Sequence, residues 1–486
     1  MRFSSRLTAG ALAFVMAVTP LAAGELPELG DAAGDDFSLL TEKRIGQQIM
    51  REIRWRDPSY LDDPEVEHYL NQLGGRLAAG SSDPGIGFYF FPLNDRMINA
   101  FALPGGYIGV NSGLILAAQS ESEVAGVLAH EISHVTQRHI ARQIFREKQM
   151  TLPAMLGMAL ALLAARSNTQ VASAAAASAQ GALIQNQLSY SRDFEREADR
   201  VGFDILQKSG FDVRGMSNFF ERLQKATRNY ENNAPVYLRS HPLTTERISD
   251  MQNREQKVRY RQVPDTSEFQ LVRAKLRAMD DKPFEAVKTY EALLKEKKYA
   301  SEPAARYGMA VAYARAKDWE GAERELTLVR KAKVSSPMVE RLAAQVRVGR
   351  GDTAGGLAAY REAMNRYPLN TALIYAYGDA LNELGQFAEL YAFSEKELLN
   401  YPQDVRLYDM RGKAAAALGR RAQQHRATAE IYALQGQTAA AIEQLQFAQR
   451  AGDANFYELS VIDARLRDLK RRLEEELKEK RKGKGP

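Results

Sequence analysis

The chain has 486 residues, 45% of them hydrophobic and 26% charged. That is enough for more than one buried core and excludes global disorder or a fibrous repeat. Lysine and arginine number 66 against 61 aspartates and glutamates, a near balance that does not mark a nucleic-acid binder. Cysteine is absent, which excludes structural disulfides, thiolate metal sites, a cysteine nucleophile and lipid attachment at an N-terminal cysteine.

Arg2 and Arg6 precede an apolar run from Leu7 to Val18, closed by Leu21-Ala22-Ala23-Gly24. This pattern predicts a secretory signal peptide over residues 1–24, cleaved near Ala23 and Gly24, because the run is too short to span a hydrocarbon core of about 30 Å. After a Gly/Asp-rich leader, the aromatic patch Phe88 to Phe91 predicts one strand. Tyr107 to Val110 predicts a second, after the Pro104-Gly105-Gly106 turn. Elsewhere up to residue 255 helical periodicity prevails. Residues 150–165 carry no charge and are read either as a packed helix or as a lid or membrane-touching hairpin.

The sharpest local signal is His130-Glu131-Ile132-Ser133-His134, behind the helix-forming run Glu121 to Ala129. Residues four apart on a helix stand one turn above each other, so both imidazoles can converge on one zinc ion with Glu131 beside them. A catalytic zinc needs a third protein ligand. The extended pattern His-Glu-x-x-His-x-x-Gly-x-x-His does not supply it, since Gln137 and Ile140 occupy its last two fixed positions and His139 is out of register. His139 is therefore expected to be an exposed helix residue. A second helix offers Glu195 and Asp199 on one face, with Glu197 roughly opposite. Glu195 can ligate while Asp199 takes a hydrogen bond from the outer nitrogen of a ligand histidine. His241 precedes Pro242 in a loop before a helix spanning residues 246–251, where the backbone is pushed extended.

Beyond a polar linker at 256–266 the chain is helix-forming, with punctuation at a fixed interval. Pro303 and Pro337, Pro368 and Pro402, and Gly385 and Gly419 are each 34 residues apart. This period predicts paired helices of the tetratricopeptide kind over 267–486, with a concave face suited to protein or peptide. The stretch from Arg465 to Lys484 is expected to be a solvated, charge-laced helix ending in a basic tail.

Taken together, His130-Glu-x-x-His134, Glu195-x-x-x-Asp199 and Asn99-Ala-Phe-Ala-Leu-Pro-Gly-Gly106 resemble the HtpX-like gluzincin zinc metallopeptidases, here joined to C-terminal tetratricopeptide repeats. The expected fold is α+β: a mostly helical zincin-like domain with a small sheet over 25–255, then an all-α repeat solenoid. The resemblance implies a zinc endopeptidase with one ion per chain, His130, His134 and Glu195 as ligands, and Glu131 as general base. Asp199 is assigned to the catalytic group. Asn99, Ala100, Phe101 and Ala102 are implied to form a strand along which substrate backbone docks, a core strand being the alternative. The resemblance also implies that His241 fills the fourth zinc position and keeps the enzyme latent. Arg247 would then either form an ordinary surface salt bridge or balance charge near the site.

By the same resemblance the location is the periplasm and the clients are outer-membrane β-barrel proteins. The repeats would contact the β-barrel assembly machinery, with room for peripheral contact with the outer membrane and no nucleic acid. The competing class is a non-proteolytic chaperone or scaffold whose zinc is structural.

Overall fold

The computed structural model describes residues 38–83, 85–147, 192–227 and 236–482. The segment expected to be a signal peptide, the uncharged stretch from 150 and the last four residues of the basic tail lie outside the described residues.

The first half is organised around one buried helix. Helices α1 (Leu39–Arg56) and α2 (Pro64–Ala78) lead into strands β1 (Tyr89–Leu93), β2 (Ala100–Leu103) and β3 (Tyr107–Asn111). Asp63 caps α2 by accepting from the amides of Glu65 and Val66, with Pro64 in the first turn, the arrangement a helix start favours. The Asn71 side chain then ties α2 to β1, donating to the Phe90 carbonyl at 2.7 Å and accepting its amide at 2.9 Å. The sheet order is β1-β3-β2, with β1 parallel and β2 antiparallel to β3. Gly105 and Gly106, at φ 77° and 87°, turn β2 back into β3 in a conformation that side chains resist. Among the described strands, β2 is left at an edge of the sheet.

After α3 (Ser112–Ala117), helix α4 (Glu121–Thr136) begins at Ser120, whose hydroxyl accepts the Glu123 amide. Every residue from Glu121 to Val135 is buried, as expected of a helix with neighbours on all sides. It packs against α2, β2, α6 (Arg192–Lys208) and α7 (Arg214–Thr227). The approach of α6 depends on Gly202: a Cβ there would lie 3.1 Å from the His130 amide nitrogen. Helix α5 (His139–Glu147) follows α4 through Arg138, at φ 52°. The half ends with α8 (Val236–Ser240) and α9 (Thr245–Glu255).

From α10 (Ser267–Asp280) the described chain is helical. Its helices are α11 (Pro283–Lys295), α12 (Glu302–Arg315), α13 (Trp319–Lys331), α14 (Pro337–Gly349), α15 (Thr353–Arg366), α16 (Thr371–Glu383), α17 (Phe387–Asn400), α18 (Val405–Ala417), α19 (Arg421–Leu434) and α20 (Thr438–Arg450). Sequential helices pack on one another. The periodic prolines sit at helix starts or in the turns before them, and Gly351, Gly385 and Gly419 take positive φ after helix ends, where a left-handed residue closes a helix. The whole is mostly helical with a small mixed sheet, an α+β architecture.

Two features differ from expectation. The last helix, α21 (Phe456–Lys482), is not a solvated terminus along its length. Ile462, Leu466 and Leu469 are buried against α19 and α20, in one cluster with Ala429, Ala433, Ile442 and Leu445. Arg465 and Glu476 add polar contacts to that interface, with Glu430 of α19 and Thr438 of α20.

The halves also share a core. The largest apolar cluster runs from Val66, Leu70 and Leu73 of α2 through Val124 and Leu128 of α4 to Phe269, Leu276, Tyr307, Leu342 and Val346 of the helical half. Over it lies a buried charge group: Lys275 Nζ is 2.5 Å from both Asp63 Oδ2 and Glu65 Oε2, and Arg341 Nε is 2.5 Å from Glu65 Oε1. Burying such charges is tolerable only when they are paired, so the group fixes α10 and α14 in place against α2.

Candidate metal centre

Four side chains from three elements meet at one point. His130 and His134 face the same way from α4, Glu195 comes from the first turn of α6, and His241 from the bend after α8. One donor atom from each lies within 4.8 Å of all the others, and all four residues are buried. His130 Nε2 is 3.0 Å from His134 Nε2 and 3.4 Å from His241 Nδ1. The Glu195 carboxylate lies 3.0 Å from His241 Nδ1 and 3.5 Å from each of the other two imidazoles. Donors around a tetrahedral zinc, at about 2.0–2.2 Å from the ion, stand roughly 3.3–3.5 Å apart.

The electrostatics ask for a cation at that point. Burial opposes charge on His130, yet the hydrogen bonds and charges of Asp199 and Glu195 push it up to about 9. Burial and the neighbouring His130 hold His134 well below the ordinary histidine value. Burial alone would raise Glu195, but the surrounding histidines hold it well below the carboxylate range. Glu131 is buried with neither carboxylate oxygen hydrogen-bonded; the His241 ring lies beside it, with Nε2 at 3.5 Å. A buried carboxylate without partners is costly in a purely structural role. Burial accordingly pushes Glu131 above the usual range, against the pull of His241, His130 and the Ala102 amide. Converging imidazole nitrogens, an ionised carboxylate and an orphaned second carboxylate fit a zinc site.

Around this group stands a set of braces. Asp199 Oδ1 lies 3.1 Å from His130 Nδ1, the outer nitrogen of the ring. Arg247 is buried, not a surface residue. It spans Asp199 through Nε and NH2 at 2.6 and 2.8 Å, reaches Glu195 Oε2 at 2.8 Å and donates to the Pro242 carbonyl. Two sequence motifs are thereby stitched together, since Arg247 holds the acids of α6 and the loop that carries His241. Tyr237 stacks on the His241 ring at 4.6 Å, and the His241 amide donates to the Tyr237 carbonyl at 2.8 Å.

Ala100 is buried, Phe101 and Ala102 are half-buried, and all three lie on β2; Asn99 sits just before it, buried, with its carbonyl accepting the Asn111 amide. β2 packs on α4, which brings the Ala102 amide near Glu131.

His139 departs from expectation. It is fully buried, not exposed, with Nδ1 2.9 Å from His134 Nδ1 and Nε2 3.1 Å from Glu197 Oε2. Helical spacing misplaces it because α4 stops at Thr136 and the chain turns through a left-handed Arg138, whose guanidinium pairs with Glu42. Glu197 lies off the ligand face of α6 yet within reach of this histidine. Tyr237 was not singled out by any motif; no periodic signal marks an aromatic residue four positions before a histidine as its stacking partner.

Comparison with known proteins adds the family. The sequence profile of peptidase family M48 matches residues 64–255. The chain is 31% identical over 463 residues to the β-barrel assembly-enhancing protease of Escherichia coli (strain K12), covering 94% of this chain and 93% of the relative. The protein of that name in Yersinia pestis is 31% identical over 454 residues, 92% of each chain. A shorter match, 29% over 197 residues, joins 39% of this chain to 73% of the metalloprotease YcaL of E. coli (strain K12). Family M48 uses zinc, and the buried cluster can bind one such ion. The chain belongs to peptidase family M48 and is a zinc metallopeptidase.

Proposed function

We propose that the protein is a latent periplasmic endopeptidase that clears misassembled outer-membrane β-barrel proteins and also binds them in a chaperone-like way. The single observation that carries the reading is the four-donor cluster with a buried Glu131, free of hydrogen bonds, beside it. The full-length likeness to β-barrel assembly-enhancing proteases supports the client class, and the signal-peptide pattern of residues 1–24 supports the periplasm. In this reading the helix pairs from 267 onward are a tetratricopeptide solenoid that selects the client or docks on the assembly machinery.

His130, His134 and Glu195 hold the metal. When bound, zinc supplies Lewis acidity toward a peptide carbonyl and toward water. Glu131 takes a proton from the attacking water and returns it to the departing amine, a role its raised carboxyl suits. Asp199 keeps His130 in the tautomer that presents Nε2 inward, and Arg247 holds Asp199 ionised. Substrate backbone adds to β2 along Asn99 to Ala102, a strand that lies at an edge of the sheet.

His241 is the latch. By occupying a fourth position it competes with water and substrate, so cleavage requires it to withdraw. If the closed form holds nine-tenths of the molecules or more, His241→Ala raises cleavage of an unfolded protein such as casein by about tenfold or more. Unchanged or abolished cleavage would count against the latch.

A four-donor set is equally what a structural zinc takes, and this supports a second reading, a chaperone or scaffold whose repeats do the work. Cells lacking the native protein separate the two. If the peptidase reading holds, Glu131 variants leave unfolded β-barrel clients to accumulate. If those variants support assembly as well as the unaltered chain, and only substitutions on the repeat surface fail, the scaffold reading replaces it.

A further inference from the structure

The two ligand histidines of α4 are braced by different chemistry. Behind His130 stands a carboxylate, Asp199, itself gripped by Arg247. Behind His134 stands another imidazole. His139 places Nδ1 at 2.9 Å from His134 Nδ1 and Nε2 at 3.1 Å from Glu197 Oε2, and Arg142 fixes that same Glu197 oxygen at 2.9 Å.

We propose that His139, backed by Glu197, is a positioning residue that fixes the ring and tautomer of His134 for metal binding. The hydrogen-bond arithmetic allows one assignment. His134 must leave Nε2 unprotonated to ligate, so its proton sits on Nδ1 and is donated to His139 Nδ1. His139 then carries its own proton on Nε2 and donates it to Glu197. Each ring nitrogen then has one role, Glu197 Oε2 accepts from both His139 and Arg142, and both rings are neutral.

The surroundings hold His139 in this arrangement. Its ring is fully buried and stacks flat on Phe194, at 4.5 Å between centroids and 13° between planes.

Backbone geometry is arranged to the same end. On an unbroken helix a residue five beyond His134 would lie about 140° around the axis, out of reach. The left-handed turn at Arg138 breaks the helix and brings His139 back against it. Phe194, Glu195, Glu197 and Asp199 all lie on α6, so one helix delivers a zinc ligand and the carboxylate ends of both braces.

The inference rests on His134 being a zinc ligand, and the experiment keeps the two apart. The full chain is loaded with zinc and titrated against a competing chelator, alongside His139→Phe, His139→Gln and Glu197→Gln. The phenylalanine variant keeps the stack on Phe194 but offers no acceptor, and should bind zinc about 10–100-fold more weakly. Glutamine retains an acceptor for His134 and a donor for Glu197, so it should stay within about threefold of the unaltered chain. Glu197→Gln should weaken zinc by at least about threefold.

Cobalt substitution supplies a spectroscopic check: the visible bands should shift in His139→Phe and return in His139→Gln. Unaltered zinc affinity in His139→Phe, or glutamine failing as badly as phenylalanine, would overturn the proposal. Should His139→Phe not fold, as judged by circular dichroism of the metal-free chain, Glu197→Gln at unaltered affinity would overturn it instead. A starting protein without stoichiometric zinc would refute the ligand assignment, a different result from any of these.

Discussion

Glu131→Gln is expected to reduce proteolysis by about 10³-fold or more while leaving zinc content at one ion per chain. General acid–base catalysis contributes roughly 10²–10⁴-fold, and one carboxylate is assigned here to both proton transfers, so the effect should fall in the upper part of that range. Zinc should stay because Glu131 is outside the set of converging donors. Stability should not fall and should rise by up to about 1 kcal/mol, since the substitution removes a buried carboxylate that makes no hydrogen bond and burying such a group is unfavourable. Cleavage of unfolded casein, zinc per chain and thermal midpoint together decide the matter. A variant that cleaves within about tenfold of the unaltered protein would remove Glu131 from the mechanism.

Arg247→Ala should be the most damaging substitution to stability near the site, at about 3–5 kcal/mol. Arg247 is buried and is shared between Asp199, Glu195 and the carbonyl of Pro242. Its loss leaves two buried carboxylates short of a counter-charge and frees the loop that carries His241. For a chain of this size melting as one unit the thermal midpoint should drop by roughly 3–5 °C. Arg247→Lys should recover only part of that, because an ammonium cannot span Asp199 with two hydrogen bonds. Adding Asp199→Asn to Arg247→Ala should restore some stability by removing one unpaired charge, which double-mutant analysis of the melting data measures. A single-variant loss below about 1 kcal/mol would make Arg247 an ordinary salt bridge.

The parts of the site that could be read in the sequence are those governed by local period or by chemical need. His130 and His134 fall on one face because a helix repeats every 3.6 residues. Glu195 and Asp199 could be picked out because the first helix lacked a third ligand, and a carboxylate pair four apart supplies one plus a brace. His241 carried no such signal: its placement came from likeness to a family, since what delivers it is the packing of α8 and the grip of Arg247 on Pro242.

His139 was misjudged for the opposite reason. Period arguments assume an unbroken helix, and a single left-handed residue, Arg138, breaks that assumption without any glycine to announce it. The aromatic partners Tyr237 and Phe194 sit on separate helices and become neighbours of the histidines only through tertiary packing. In the helical half the turns are legible from proline and glycine. The burial of α21 is not, because its three apolar contacts are diluted among charges.

The apolar cluster that runs unbroken from Val66 to Val346 has a bearing on how the molecule can be cut. A break in the extended stretch between α9 and α10 would sever the connection yet release neither piece, for each would keep the other's inner face covered. Expressed separately, either fragment would present Phe269 and Leu276, or Leu70 and Leu73, to solvent and be driven toward self-association. The peptidase domain and the helices that follow it are therefore expected to melt as one unit, held to each other by shared burial rather than by the tether joining them.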